Sequence, residues 1–138
     1  MTEITRSIEV AADVEKVWSC LHPRNWPKVF SSVKEVNGYK NGEQGVGTQA
    51  RVVAGDKETA IRYNVEVVEF VEKSRIVYRR YGGPLAGKGI IKLRPLQSGT
   101  LVTRTGYYDD ELSEETIRAL SEGMETDNRR IKKLIESA

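Results

Sequence analysis

Residues 112–138 carry one unbroken helical period, and this segment constrains the fold more than any other. Ile117, Leu120, Met124, Ile131 and Ile135 recur at spacings of three, four or seven, which at about 100° per residue puts them on one narrow stripe. Ser113 is an N-cap residue, with Glu114 and Glu115 following it in the positively polarised first turn. Leu112 and Ile117 stand at hydrophobic-staple positions, and Arg129, Arg130, Lys132 and Lys133 crowd the negatively polarised end. A helix over 114–137 is a rod of about 36 Å, long enough to cross the sheet of a small domain. One of its faces must be covered. Asn128 interrupts the stripe near its centre, where an apolar side chain is expected.

The cover comes from the rest of the chain, which reads as short strands. Residues 2–10 alternate, with Ile4, Ile8 and Val10 on one face, interrupted by Arg6, and Thr5, Ser7 and Glu9 on the other. Asp13 then caps a short helix through Val14, Val17, Trp18 and Leu21, which Pro23 stops. Trp26-Pro27 with Val29, Phe30 and Val33 predicts a second helical turn packed through its aromatics. Six strands follow, over 33–39, 47–53, 59–70, 75–81, 88–95 and 100–109. Turn signals separate them at Asn41-Gly42, Gly55-Asp56, Glu72-Lys73-Ser74, Gly82 to Gly87 and Gln97-Ser98-Gly99. Short connections make neighbouring strands pair antiparallel in order, and the first strand closes the far edge. The expected fold is α+β: a seven-stranded curved antiparallel sheet wrapped around a long C-terminal helix, with two short helices between the first two strands. Gly47, Gly89 and Gly106, inside strands, are expected where the sheet bends. No internal repeat or linker divides residues 1–138, which are expected to form a single domain.

Composition excludes several classes of function. With 38% hydrophobic and 30% charged residues the chain reads as a soluble globular protein, and its net charge of +2 and intermixed charges do not point to nucleic acid. The basic run 129–133 reads as a solvated helix end. Cys20 is the single cysteine, and the first ten residues have neither a basic nor an apolar leader region, so a reducing, cytoplasmic setting is expected. No apolar run reaches the ~18 residues of a spanning helix, which leaves peripheral contact as the only membrane association expected. There is no metal-ligand spacing, no glycine-rich loop opening a helix, and with His22 the sole histidine no Ser-His-Asp logic; no metal or cofactor is expected.

The segments ITRSIEVAADVEKVWSCL, NWPKVF, GVGTQARV, VVEFVEKSRIVYRRYGG and GKGIIKLRPLQSGTLVTRTGYYD, in this order before the long helix, span essentially the whole chain. Their pattern resembles the START-like or pollen-allergen-like superfamily, and within it the polyketide cyclase/dehydrase and lipid-transport group, whose fold is the helix-grip. The resemblance implies an elongated cavity between concave sheet and long helix. Members include aromatases and cyclases, hydrolases, lipid and hormone carriers and chaperone-assisting domains.

Such a cavity is mostly apolar with a few convergent polar groups. Asn128 is the first candidate, either as a cavity anchor or as an asparagine satisfied by backbone or solvent, with Met124 beside it on the stripe and Ser121 and Asp127 flanking. Tyr63 and Tyr78 lie on apolar strand faces and are expected to reach inward, as core or as ligand contacts. On the last strand Leu101, Thr103, Thr105 and Tyr107 share one face, and Val102, Arg104, Gly106 and Tyr108 the other; the first set is favoured as facing the helix. If Arg104 points inward instead, it becomes an anchor for a carboxylate or enolate. Arg6 is expected to snorkel outward, His22 to be a surface cap and Cys20 a small buried side chain. The loop from Gly82 to Gly87 presents Leu85 as an apolar tip, either a gate or an ordinary turn. The function expected first is binding or transport of a small hydrophobic ligand: a lipid, quinone, isoprenoid or polyketide-like aromatic. A cyclase/dehydratase-type enzyme is the alternative, and a protein-interaction module of the chaperone-assisting kind a third. Oligomeric state is left open.

Overall fold

The computed structural model describes residues 1–37, 45–54 and 60–137. Along them run β1 (Thr2–Val10), α1 (Val14–Leu21), a 3₁₀ turn (Pro23–Asn25), α2 (Trp26–Val29), β2 (Val33–Asn37), β3 (Gln49–Ala54), β4 (Ile61–Val71), β5 (Arg75–Tyr81), β6 (Gly87–Leu96), β7 (Gly99–Tyr108) and α3 (Glu114–Glu136). The expected turns at Asn41-Gly42 and Gly55-Asp56, and the outer residues 38, 39 and 59 of two expected strands, lie outside the described residues.

The strands form one antiparallel seven-stranded sheet in the order β1-β7-β6-β5-β4-β3-β2. Successive strands pair as the short turns require, and β1 closes the sheet beside β7, with Thr2 opposite Tyr108 and Val10 opposite Thr100. Two register shifts, between Val33 and Glu35 and between Val67 and Glu69, add local twist. Ile4, Val10, Val52, Val65, Val67, Ile76, Ile91, Leu93 and Val102 are buried on the concave face.

The helices close that face unevenly. Asp13 caps α1 by accepting from the Lys16 amide at 2.9 Å, and Val17, Trp18 and Leu21 are buried. In α2 the Trp26 indole N–H donates to the Leu21 carbonyl at 2.9 Å, and its ring meets Phe30 and Tyr78 edge-on. Ser113 caps α3, accepting from the Thr116 amide at 3.1 Å. The second half of α3 buries Asn128, Ile131 and Ile135 against α1, α2 and the sheet. Along its first half, Ile117, Leu120 and Met124 are only half-buried. The core therefore fills one end of the grip, and the other end stays hollow.

The structure reverses the favoured orientation of β7. Val102, Arg104, Gly106 and Tyr108 face the helix. Thr103 and Thr105 instead pair their hydroxyls with Ser7 and Thr5, each at 3.0 Å, on the exposed convex side. The cause is the β1 register: Ile4 and Ile8 must point inward, so their partners Gly106 and Val102 do too. Arg6, opposite Arg104, leaves the concave face along the helix and donates from Nε to Glu125 Oε1 at 3.1 Å. Among the described residues no helix is long and apolar enough to cross a membrane.

Candidate functional site

Three rows of side chains run across β5, β6 and β7 on the concave face. Arg80 lies opposite Gly87, which lies opposite Tyr108; Tyr78, Gly89 and Gly106 form the next row, and Ile76, Ile91 and Arg104 the third. The glycines make room for their large neighbours. A Cβ on Gly89 would lie 2.3 Å from Tyr78 Cζ, and one on Gly106 would lie 2.8 Å from the Tyr108 hydroxyl oxygen. Gly89 and Gly106 thus serve close approach of aromatic rings to the sheet, a role beyond the bending expected of them.

Above these rows, under the first half of α3, is a cavity of about 670 Å³, a size that holds a small organic ligand. Its walls include Tyr63, Tyr78, Arg80, Arg104 and Tyr108 from the sheet, Leu120, Met124 and Asp127 from α3, and Leu85 from the loop after β5. A smaller void of about 70 Å³ shares Tyr63, Tyr78, Arg104 and Asp127 with it and reaches Trp26, Phe30 and Ile91. Most of the lining is apolar; Ser32, Tyr63, Tyr78, Arg104 and Asp127 lie where the two spaces meet, and Arg80, Tyr108 and Glu115 line the larger one alone.

Arg104 stands at that junction, stacked 4.8 Å from the Phe30 ring centre. Its Nη1 donates to the Met124 carbonyl and to Asn128 Oδ1, both at 3.3 Å, and Nη2 lies 3.9 Å from Asp127 Oδ2. Nε is enclosed and has no hydrogen-bond partner. Burial pushes the Asp127 carboxyl above its ordinary value, against the opposing pull of Arg104 and then Arg130. Burial likewise raises Tyr63, reinforced by Tyr78, and raises Tyr108, where Arg80 opposes it. The phenols of Tyr63 and Tyr108 therefore stay protonated, as donors. Among the described residues, the hydroxyls of Tyr63, Tyr78 and Tyr108 make no hydrogen bond.

Arg80 is 6% exposed. It donates from Nε to the Leu85 carbonyl at 2.7 Å and from Nη2 to the carbonyls of Lys88, at 3.0 Å, and Tyr107, while stacking 4.2 Å from the Tyr108 ring centre. Leu85 sits at φ 67°, a left-handed conformation unfavourable for a branched side chain. The Arg80 contact holds the loop in that shape and the Leu85 side chain against the cavity.

Of the residues singled out from sequence, Tyr63, Tyr78, Met124, Arg104 and Leu85 line the cavity together. Thr105 borders it but turns its hydroxyl to the convex face, and Thr103 is not part of the wall. Asn128 is buried and does not line the cavity; it holds Arg104 in place. His22 accepts from the Arg24 amide at 3.3 Å as a local cap, and burial raises the half-buried Cys20 thiol. Arg80 and Tyr108 were not among the sequence candidates. The signal for Arg80 was its place in the alternation Ile76, Tyr78, Arg80; Tyr108 shares the Arg104 face. Among the described residues, His, Cys, Asp and Glu side chains nowhere gather in a group of three or more able to hold a metal. The chemistry available is that of phenols, guanidiniums and the carboxylates of Asp127 and Glu115.

Solved structures share this architecture. An uncharacterised protein from Rhizobium leguminosarum superposes with a TM-score of 0.76 at 16% identity, over 99% of this chain and 95% of that one. The ZhuI aromatase/cyclase from Streptomyces sp. R1128 gives 0.71 at 15% identity, over 98% and 93%. The Aha1 dimer structure from Colwellia psychrerythraea gives 0.74 at 14% identity, over 99% and 97%. No curated protein sequence matches the chain. At these identities the structures establish the fold. The family model described as polyketide cyclase/dehydrase and lipid transport matches residues 1–136, and the chain therefore belongs to that family, within the START-like superfamily.

Proposed function

We propose that this protein binds a small, largely apolar ligand in the cavity between the sheet and the first half of α3. The observation that carries the reading is the cavity itself: about 670 Å³ beneath a helix whose second half packs tightly. Among the described residues its tyrosine hydroxyls have no hydrogen-bond partner. Phenols that face a hollow and spend no hydrogen bond on the protein are free to contact something the chain does not supply. Lipids, quinones, isoprenoids and polyketide-like aromatics all combine an apolar body with few oxygens, and binding or transport of such a compound is the function favoured here.

One observation supports a second reading, catalysis of the cyclase/dehydratase kind. Asp127 lines the cavity with its carboxyl raised by burial, beside Arg104, so a group able to exchange a proton faces the bound molecule.

Native mass spectrometry of the purified protein, with solvent extraction of whatever accompanies it, tests the binding reading. A stoichiometric apolar compound is the expected result. Gly123 provides the control: it borders the cavity, and a Cβ there would meet nothing within 4 Å. Gly123→Phe should occupy part of the space and weaken ligand uptake while stability holds or rises, since glycine inside a helix costs about 1 kcal/mol relative to alanine. An empty native protein that also takes up no apolar fluorescent probe would overturn the reading.

A further inference from the structure

We infer that the ligand carries an anionic, acceptor-rich head, a carboxylate or enolate oxygen, received by Arg104 and the adjacent tyrosine hydroxyls while its apolar body lies beneath α3. This rests on the cavity being a ligand site and adds the charge of what enters it. The argument is a count of donors, acceptors and charges in the wall. Arg104 spends Nη1 on two neutral oxygens at 3.3 Å, leaves Nε without a partner, and has its nearest carboxylate oxygen at 3.9 Å. A guanidinium with five N–H groups placed this way remains short of acceptors. Arg80 adds a second cation to the same wall, bound only to backbone carbonyls, and no ion pair reaches it among the described residues.

Against these two positive charges the lining offers Asp127, 3.9 Å from Arg104, and Glu115 at the solvent-exposed start of α3. Among the described residues no carboxylate pairs with Arg80 and the one nearest Arg104 is distant, so the positive charge of the wall is incompletely compensated. The wall also holds surplus donors, because among the described residues the hydroxyls of Tyr63, Tyr78 and Tyr108 have no acceptor. Where water is displaced by an apolar body, charges interact more strongly than in bulk solvent. A neutral ligand oxygen can accept from these donors but leaves the charge uncompensated. An anionic oxygen does both, and a charged acceptor makes the shorter and stronger hydrogen bonds. Tyr63, Tyr78 and Arg104 lie where the cavity meets the void beside Phe30 and Trp26, and Ala119, Leu120 and Met124 give the helix side an apolar stretch between Glu115 and Asp127. A head at the sheet and an apolar body under the helix fit that division.

Two fluorescent probes with one aromatic body test this: 8-anilinonaphthalene-1-sulfonate, an anion, and N-phenyl-1-naphthylamine, its neutral counterpart. Titrated into the native protein at constant ionic strength, the anion should bind about ten- to a hundredfold more tightly, the worth of a hydrogen bond to a charged group. Arg104→Gln should collapse that ratio, and Arg104→Lys should restore part of it; thermal melts establish that each variant folds. Equal affinities in the native protein would overturn the anionic head and leave the cavity reading standing. Anion binding that Gly123→Phe leaves at native strength would come from outside the cavity and would also overturn it. If neither probe binds, the cavity reading fails and the anionic head with it. The native pair decides the question even if an Arg104 variant does not fold.

Discussion

Tyr78 lies over Gly89 on the neighbouring strand, and the missing side chain at Gly89 is what lets the ring settle on the sheet with its edge against Trp26. Gly89→Ala would put a methyl group 2.3 Å from Tyr78 Cζ. The ring would have to lift into the cavity. The expected result is a loss of about 1–3 kcal/mol in stability, the usual cost of overpacking, together with weaker ligand uptake. Urea denaturation and probe titration on the same variant check both, and an unchanged affinity would mean that Tyr78 does not shape the binding space. Asn128 shows the other side of residue-scale reasoning. Its position on the apolar stripe marked it as special, yet what makes it special is Arg104, twenty-four residues upstream and on another element.

At the scale of elements, the two ends of α3 are anchored differently. Its C-terminal end is tied to the end of β1. Glu136 accepts from the Ala11 amide at 2.8 Å and from Lys132 at 2.6 Å, and Lys132 also donates to the Glu9 carbonyl at 3.1 Å. The Ala11 amide, then Lys132, holds the Glu136 carboxyl below its ordinary value of 4.5. A carboxyl depressed in the folded state contributes stability that is present above its unfolded value and is lost as pH falls through the lower folded one. Glu136→Gln should therefore destabilise the protein at neutral pH, and the difference from the native chain should shrink as the solution is acidified through the carboxylate range. Urea midpoints at a series of pH values check this. A difference that stays constant with pH would mean the contact works by packing alone. Helix period and capping signals made α3 legible from residue to residue, because Ser113, the stripe and the terminal charges are all local. The β7 orientation was not legible that way, since both of its faces carry apolar and polar groups. Pairing with β1 was needed to decide it.

For the whole molecule, a packed half and a hollow half share one helix. Amides over 129–135 sit where Ile131 and Ile135 are buried in the core, whereas those over 116–124 cover the cavity with half-buried side chains. Local opening follows the amount of buried apolar contact. Hydrogen exchange should be faster over 116–124 than over 129–135, and loading the cavity should slow the first set more than the second. Uniform protection along α3 would mean that the cavity does not loosen the helix above it.

The order of elements, the strand faces that carry Ile4, Tyr63 and Tyr78, the capped terminal helix and its apolar stripe follow from spacings of two to four residues, and those spacings are written along the chain. Local chemistry determines them: side chains alternate across a strand and recur every turn of a helix whatever lies beyond. The convergence of Arg80, Arg104, Tyr108 and Asp127 on one hollow is of another kind. It depends on which strand stands beside which, on glycines that clear space for residues of neighbouring strands, and on a helix that packs at one end only. Those are relations between residues far apart in sequence, and only the tertiary structure decided them.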